Sequence, residues 1–166
     1  VFGEVPSDAT VSRLIATLAA DAPAVLTAID TARATARASA WKHAGKHAPD
    51  HDITADNPIV IDLDATLVTA HSDKELAAPT YKRGYGFHPL LAFVDHGQSG
   101  TGEPVAALLR AGNAGSNTAA DHIDVTRAAL AQLTFTNGSR PGKKVLVRTD
   151  GAGASHAYLS WLHKQR

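Results

Sequence analysis

The sequence predicts an α/β fold: a mixed sheet in which three antiparallel strands form a meander, a helix crosses over, and a fourth strand returns parallel to the first, preceded by an N-terminal helical region. Three observations predict it. The run Ile59-Val60-Ile61-Asp62-Leu63-Asp64 is an apolar, β-branched segment closed by acids, and Lys144-Val145-Leu146-Val147-Arg148-Thr149-Asp150 repeats that pattern. Two further apolar runs and one stretch of helical period lie between them. The residues before position 50 are Ala-rich and helix-like.

Composition bounds the answer. At 166 residues the chain is one domain with at most an appendage, and 44% hydrophobic with 19% charged residues describes a globular protein. Formal charge is zero, from 16 basic and 16 acidic residues, so any argument about nucleic acid must come from local patches. The absence of Cys excludes a disulfide framework and a thiolate metal site. No apolar run approaches the roughly 18 to 20 residues of a membrane span, and no signal-peptide pattern opens the chain, so no membrane partner is expected. The chain has no Met and starts at Val1, which leads us to expect a processed form or a piece of a longer reading frame.

Ser7 or Asp8 can cap a first helix carrying Leu14, Ile15 and Leu18. Pro23 suits the first turn of a second, with Val25, Leu26 and Ile29 as its apolar stripe, running toward Trp41. Arg33, Arg37, Lys42 and Lys46 make its later part basic, either a DNA-facing surface or a solvated helix face. A polar linker spans 48–58. Strand one covers 59–69 and is followed by the loop His71-Ser72-Asp73-Lys74-Glu75 and Pro79. Strand two covers 87–95. A Gly-rich turn over 96–102 leads to strand three at 104–109. After the loop 112–117, a helix over 118–133 turns Ile123, Val125, Ala129, Leu130 and Leu133 toward the core. A turn from Asn137-Gly138 to Pro141-Gly142 precedes strand four at 144–149, and a last helix starts near Ser155.

Short turns between the first three strands make them antiparallel, and the crossover helix sets strand four parallel to strand one. The C-terminal ends of strands one and four, with Asp64 and Asp150, then meet, as in the ribonuclease H-like arrangement. Oxygen ligands so placed suit a hard divalent cation and phosphate chemistry. A second template also fits. Asp62-Leu63-Asp64-Ala65-Thr66 matches the Asp-x-Asp-x-Thr motif of haloacid-dehalogenase-like phosphatases, where Asp62 is the nucleophile. Against it, two further strands follow the motif directly, and no acid follows Asp150.

Five stretches stand together in this order: Asp62-Leu63-Asp64-Ala65-Thr66, His71-Ser72-Asp73-Lys74-Glu75, Tyr81-Lys82-Arg83-Gly84-Tyr85-Gly86-Phe87-His88-Pro89-Leu90, the run from Arg110 through Asn117 to His122, and Val147-Arg148-Thr149-Asp150-Gly151-Ala152-Gly153. On these, over nearly its whole length, the chain resembles DDE transposases of bacterial insertion sequences. The resemblance implies catalytic and metal-binding roles for Asp64 and Asp150, with Asp62 as the second choice of ligand beside them. It implies Mg²⁺ or Mn²⁺ as cofactor, transposon ends and target DNA as partners, a homo-oligomer when intact, and a bacterial cytoplasmic, nucleoid-associated location. Two units are expected: an N-terminal helical region, 1–52, whose basic face is a candidate DNA contact, and a partial ribonuclease H-like catalytic domain, 53–166. The family's third acid is a downstream Glu. Glu4, Glu75 and Glu103 all precede Asp150, so the expectation is a partial core lacking that residue, and a non-catalytic DNA-binding remnant stays open as an alternative. Arg33, Arg37, Lys74, Lys82, Arg83 and Arg110 are candidate phosphate contacts. His71, His88, Asp95, His96 and His122 fit no zinc spacing.

Overall fold

A computed structural model describes residues 5–98, 100–136 and 140–165. Glu4, Ser99 of the Gly-rich turn, Arg166 and the Asn137-Gly138 part of the turn expected before the last strand lie outside these residues.

Helix α1 (Asp8–Ala19) starts where the Ser7 side chain accepts the Thr10 N–H, and α2 (Ala22–Ala44) where Asp21 accepts that of Ala24, with Pro23 in its first turn. The two helices meet at a sharp bend. Their expected apolar stripe is not a core face. Leu14, Ile15, Leu18, Leu26 and Ile29 are exposed, and α1 buries no residue. Only the later part of α2 reaches the sheet, where Arg37 and Trp41 are buried, and Ala48 just after it joins the same core. Helices and sheet therefore share one core across position 52. No single helix among the described residues is long and apolar enough to cross a membrane.

Strands β1 (Ile59–Ala65), β5 (Leu90–Val94), β6 (Glu103–Leu108) and β7 (Val145–Thr149) form a four-stranded sheet in the order β6-β5-β1-β7. β1 pairs antiparallel with β5 and parallel with β7, and β5 pairs antiparallel with β6. Helix α3 (Ala119–Ala131) makes the crossover, and α4 (His156–His163) packs beside it. The meander, crossover and parallel return thus stand as the pattern predicts.

The first connection does not. The run 59–69 breaks after Ala65, and 66–89 is no short turn. It holds a small sheet of β2 (Val68–Thr69), β3 (Ala78–Pro79) and β4 (Tyr85–Phe87), in the order β2-β4-β3. Pairing of β1 with β5 ends at Ala65 and Leu90, next to Pro89, which has no N–H to give and serves only as acceptor for Thr66. Gly86 has φ +152°, and a Cβ there would lie 2.0 Å from the Val68 carbonyl oxygen. A Cβ on Gly112 would lie 2.2 Å from the Ala78 oxygen and 2.4 Å from that of Gly86. The small sheet and the 111–114 turn therefore meet backbone to backbone, which only glycine permits.

Side chains alternate along β1. Ile59, Ile61 and Leu63 are buried with Leu90, Ala92, Val94, Val105, Val125 and Ala129 beneath α3. Asp62 and Asp64 share the opposite face, where register sets Arg148 and Phe93 beside Asp62, and Leu91 beside Asp64. That face is more open: Leu146 upon it is exposed.

Candidate active site

Two parallel strands deliver the acids. Leu63 pairs with Thr149, so Asp64 and Asp150 are the next residues on neighbouring strands. Both are exposed. Asp150 caps the short turn Gly151–Gly153, its Oδ1 accepting the Ala152 N–H at 3.0 Å. The Asp64 carboxylate has no hydrogen-bond or ion-pair partner among the described residues. Two clefts open on this pair. One, of about 450 Å³, is walled by Tyr81, His88, Asn113 and His122. The other, of about 610 Å³, runs along the sheet face past Phe93 to Asp62 and Arg148.

The neighbouring acids are in a different state. Arg148 on β7 grips Asp62 with a two-pronged contact, Nη2 donating to Oδ2 at 2.7 Å and Nε to Oδ1. The same Nη2 donates to Asp95 at 2.9 Å. The Gly97 N–H, and then Arg148, hold the Asp95 carboxyl below the usual range, while Asp62 and then Asp95 push the Arg148 guanidinium further up. Both Asp62 oxygens are engaged, so Asp62 is not the free ligand or nucleophile that its motif suggests. A cation already sits on it, and that cation belongs to the chain. Arg148 is a residue that sequence reasoning missed. Its signal was available, because parallel register puts it opposite Asp62 on the same face.

Two candidate phosphate contacts are corrected by burial. Arg37 is buried, donating to Glu103 at 2.6 Å, to Gln132 at 2.7 Å and to the Pro104 carbonyl. Burial alone would raise Glu103, but the Arg37 hydrogen bond and charge, with help from Trp41 and His96, hold its carboxyl below the usual range. Arg110 is also buried, donating to the carbonyls of His88 and Gly115 and to Asp121. Its Nη2 is buried without a partner. Arg110 braces the cleft-lining loop against the first turn of α3 and cannot meet a DNA phosphate. Arg33 is half-exposed beside Asp30, and Lys74, Lys82 and Arg83 are exposed.

His88 and His122 are buried at the cleft wall, with Nδ1 against the carbonyls of Ala114 and Thr118 respectively. A carbonyl only accepts, so each Nδ1 carries the proton. His122 also packs on Tyr158, whose hydroxyl lies 2.6 Å from Thr126. Burial raises the Tyr158 hydroxyl, partly countered by Thr126. Among the described residues no group of three or more His, Cys, Asp or Glu side chains is placed to hold a metal ion.

A family model described as "Transposase DDE domain group 1" matches residues 1–166. No curated protein and no solved structure matches the chain significantly. The family implies DNA as the partner. Along its full length, this chain belongs to the DDE transposases.

Proposed function

We propose that the chain is the ribonuclease H-like core of a metal-dependent enzyme that cleaves transposon ends and joins them to target DNA, with Asp64 and Asp150 as the metal-binding carboxylates. One observation carries this. On one sheet face, Asp62 and Asp95 are neutralised by Arg148, while Asp64 and Asp150, on adjacent strands, have no ion-pair partner among the described residues. Adjacent carboxylates repel unless something positive lies between them. The donor set fits a hard divalent cation: oxygen ligands only, open to solvent, with Asp150 Oδ1 fixed by the Ala152 N–H. Mg²⁺ or Mn²⁺ there would polarise a phosphoryl oxygen and lower the pKa of a bound water or 3′-hydroxyl.

The chain's own residues set the geometry. Parallel pairing fixes the spacing of the two acids, and Arg148 withholds Asp62 from the site. Exposed Lys74, Lys82 and Arg83 are assigned to DNA phosphates, which fix register rather than read sequence, and Arg33, which also donates to the Pro104 carbonyl at 2.8 Å, is the weaker candidate. Glu4, Glu75 and Glu103 all precede Asp150, and Glu103 is engaged by Arg37, so the family's downstream acid is assigned to no residue of these 166. The helical region 1–52 is assigned to DNA beside the core, in a homo-oligomer working on the bacterial chromosome in the cytoplasm. The phosphatase reading has against it the Arg148 grip on Asp62.

Iron-directed cleavage tests the site without requiring activity. Fe²⁺ with ascorbate and peroxide cuts a backbone next to a bound metal. Cuts near residues 64 and 150, competed by Mg²⁺ and lost in Asp64→Asn and Asp150→Asn, are the expected result. Cleavage unaltered by both substitutions rejects the assignment. DNA binding without any local cleavage points instead to the non-catalytic module.

A further inference from the structure

The acid-lined cleft has one wall that neither the metal site nor the core requires. Tyr81 is 70% exposed, yet it is held in place. Its ring lies 5.8 Å from that of buried His88, tilted by 53°. Its turn is closed by Thr80 N–H to the Gly84 carbonyl at 2.9 Å, Arg83 N–H to the Thr80 carbonyl at 3.0 Å, and Gly84 N–H to Thr80 Oγ1 at 3.1 Å. Arg83 takes a positive φ of 62° to make it. Tyr81 also lines two spaces at once. One is the cleft with Asp64 and Asp150. The other is a recess of about 400 Å³ carrying Thr66, Thr69 and Thr80. Lys82 and Arg83 follow it directly, neither with an ion pair among the described residues, and the Lys82 ammonium lies over the Tyr81 ring, 5.7 Å from its centre, where an arriving base would displace it toward the phosphates.

An aromatic ring that is held before any ligand arrives, with one cation resting over it and a second following in the chain, is what unpaired nucleic acid uses. Bases stack on the ring while phosphates take the charges. A paired base offers no free face. We propose that Tyr81 is the stacking platform for one unpaired nucleobase of the DNA strand. The base enters the threonine-lined recess, and its phosphates pass Lys82 and Arg83 toward Asp64 and Asp150. The site therefore takes a frayed or single-stranded end rather than closed duplex. This rests on the reading of the two acids as the reaction centre, but the stacking itself needs no metal.

The test is run in EDTA with the 166-residue chain. Two DNAs carry 2-aminopurine, one in a three-nucleotide overhang and one paired within a blunt duplex. The expected result is fluorescence quenching and tighter binding for the overhang only. Tyr81→Ala removes the quenching and weakens overhang binding by roughly tenfold, the scale of one lost base stack. Tyr81→Phe keeps both. Because Tyr81 is exposed, neither substitution threatens the core. Equal binding of the two DNAs, or a Tyr81→Ala protein indistinguishable from the unaltered chain, overturns the proposal. The iron-cleavage pattern is read independently, so loss of stacking with intact cuts rejects this inference alone, and stacking without cuts rejects only the metal assignment.

Discussion

Replacing Asp64 by Asn removes one of two like charges on adjacent strand ends. Neighbouring strands run about 4.8 Å apart, and both acids are exposed, so a water-like dielectric applies. Two unit charges at about 5 Å in water repel by about 1 kcal/mol. In a chain of this size 1 kcal/mol corresponds to roughly 2–4 °C in Tm. Asp64→Asn should therefore melt higher than the unaltered chain by about that much at low ionic strength in EDTA. The difference should shrink at about 1 M salt, where the Debye length falls to about 3 Å. Divalent cation reverses the order. At ten times its Kd, Mn²⁺ bound only to the folded state adds about 1.4 kcal/mol, so the unaltered chain gains roughly 3–5 °C and Asp64→Asn gains none. Thermal melts with and without Mn²⁺ read both effects. A lower metal-free Tm for the variant, or equal Mn²⁺ shifts in both proteins, would refute the reasoning from unpaired carboxylates.

Arg37→Met leaves Glu103 and Gln132 facing an apolar side chain. Breaking a buried pair costs about 3–5 kcal/mol, and with Glu103 28% exposed we expect about 2–4 kcal/mol in urea unfolding. Because Glu103 is depressed in the folded state, its contribution is present above the usual glutamate range and is lost as pH falls through the lower folded value, so the variant should show a flatter acid limb. Gly112→Ala drives a methyl into two carbonyl oxygens and should cost about 1–3 kcal/mol, with protease cuts appearing within 66–89. Arg148→Gln frees Asp62 beside Asp64, so Mn²⁺ measured by calorimetry should bind several-fold tighter because ligand charge rises. Unchanged affinity would mean that Asp62 cannot reach the site.

The four long strands and α3 were legible because each carries a full period of burial, and the two acids because they close such runs. The small sheet was not. Strands as short as Val68–Thr69 and Ala78–Pro79 contain no period, and their packing depends on the absence of Cβ at Gly86 and Gly112 rather than on any apolar face. Arg37 and Arg110 looked like surface charges because their partners are remote or irregular: Glu103 and Gln132 for one, Asp121 and loop carbonyls for the other. The α1 stripe misled in the opposite direction, since helical periodicity shows which face is apolar and not whether anything covers it. The preference for Asp64 over Asp62 came from the sequence, but its physical reason lies in the register of β7, which puts an arginine opposite one and an aspartate next to the other.

Among the described residues β7 stands at the edge of the sheet, with β1 as its one strand partner. Edge strands are where native proteins open most readily, and hydrogen exchange there runs ahead of the core. Each such excursion carries Asp150 away from Asp64. If the two acids hold a cation as proposed, docking of the strand and its capture are coupled by a shared free energy, and each strengthens the other. A neighbour pairing along the outer rim of β7, whether another segment or another molecule, would act at a distance on the cation affinity proposed for Asp64 and Asp150.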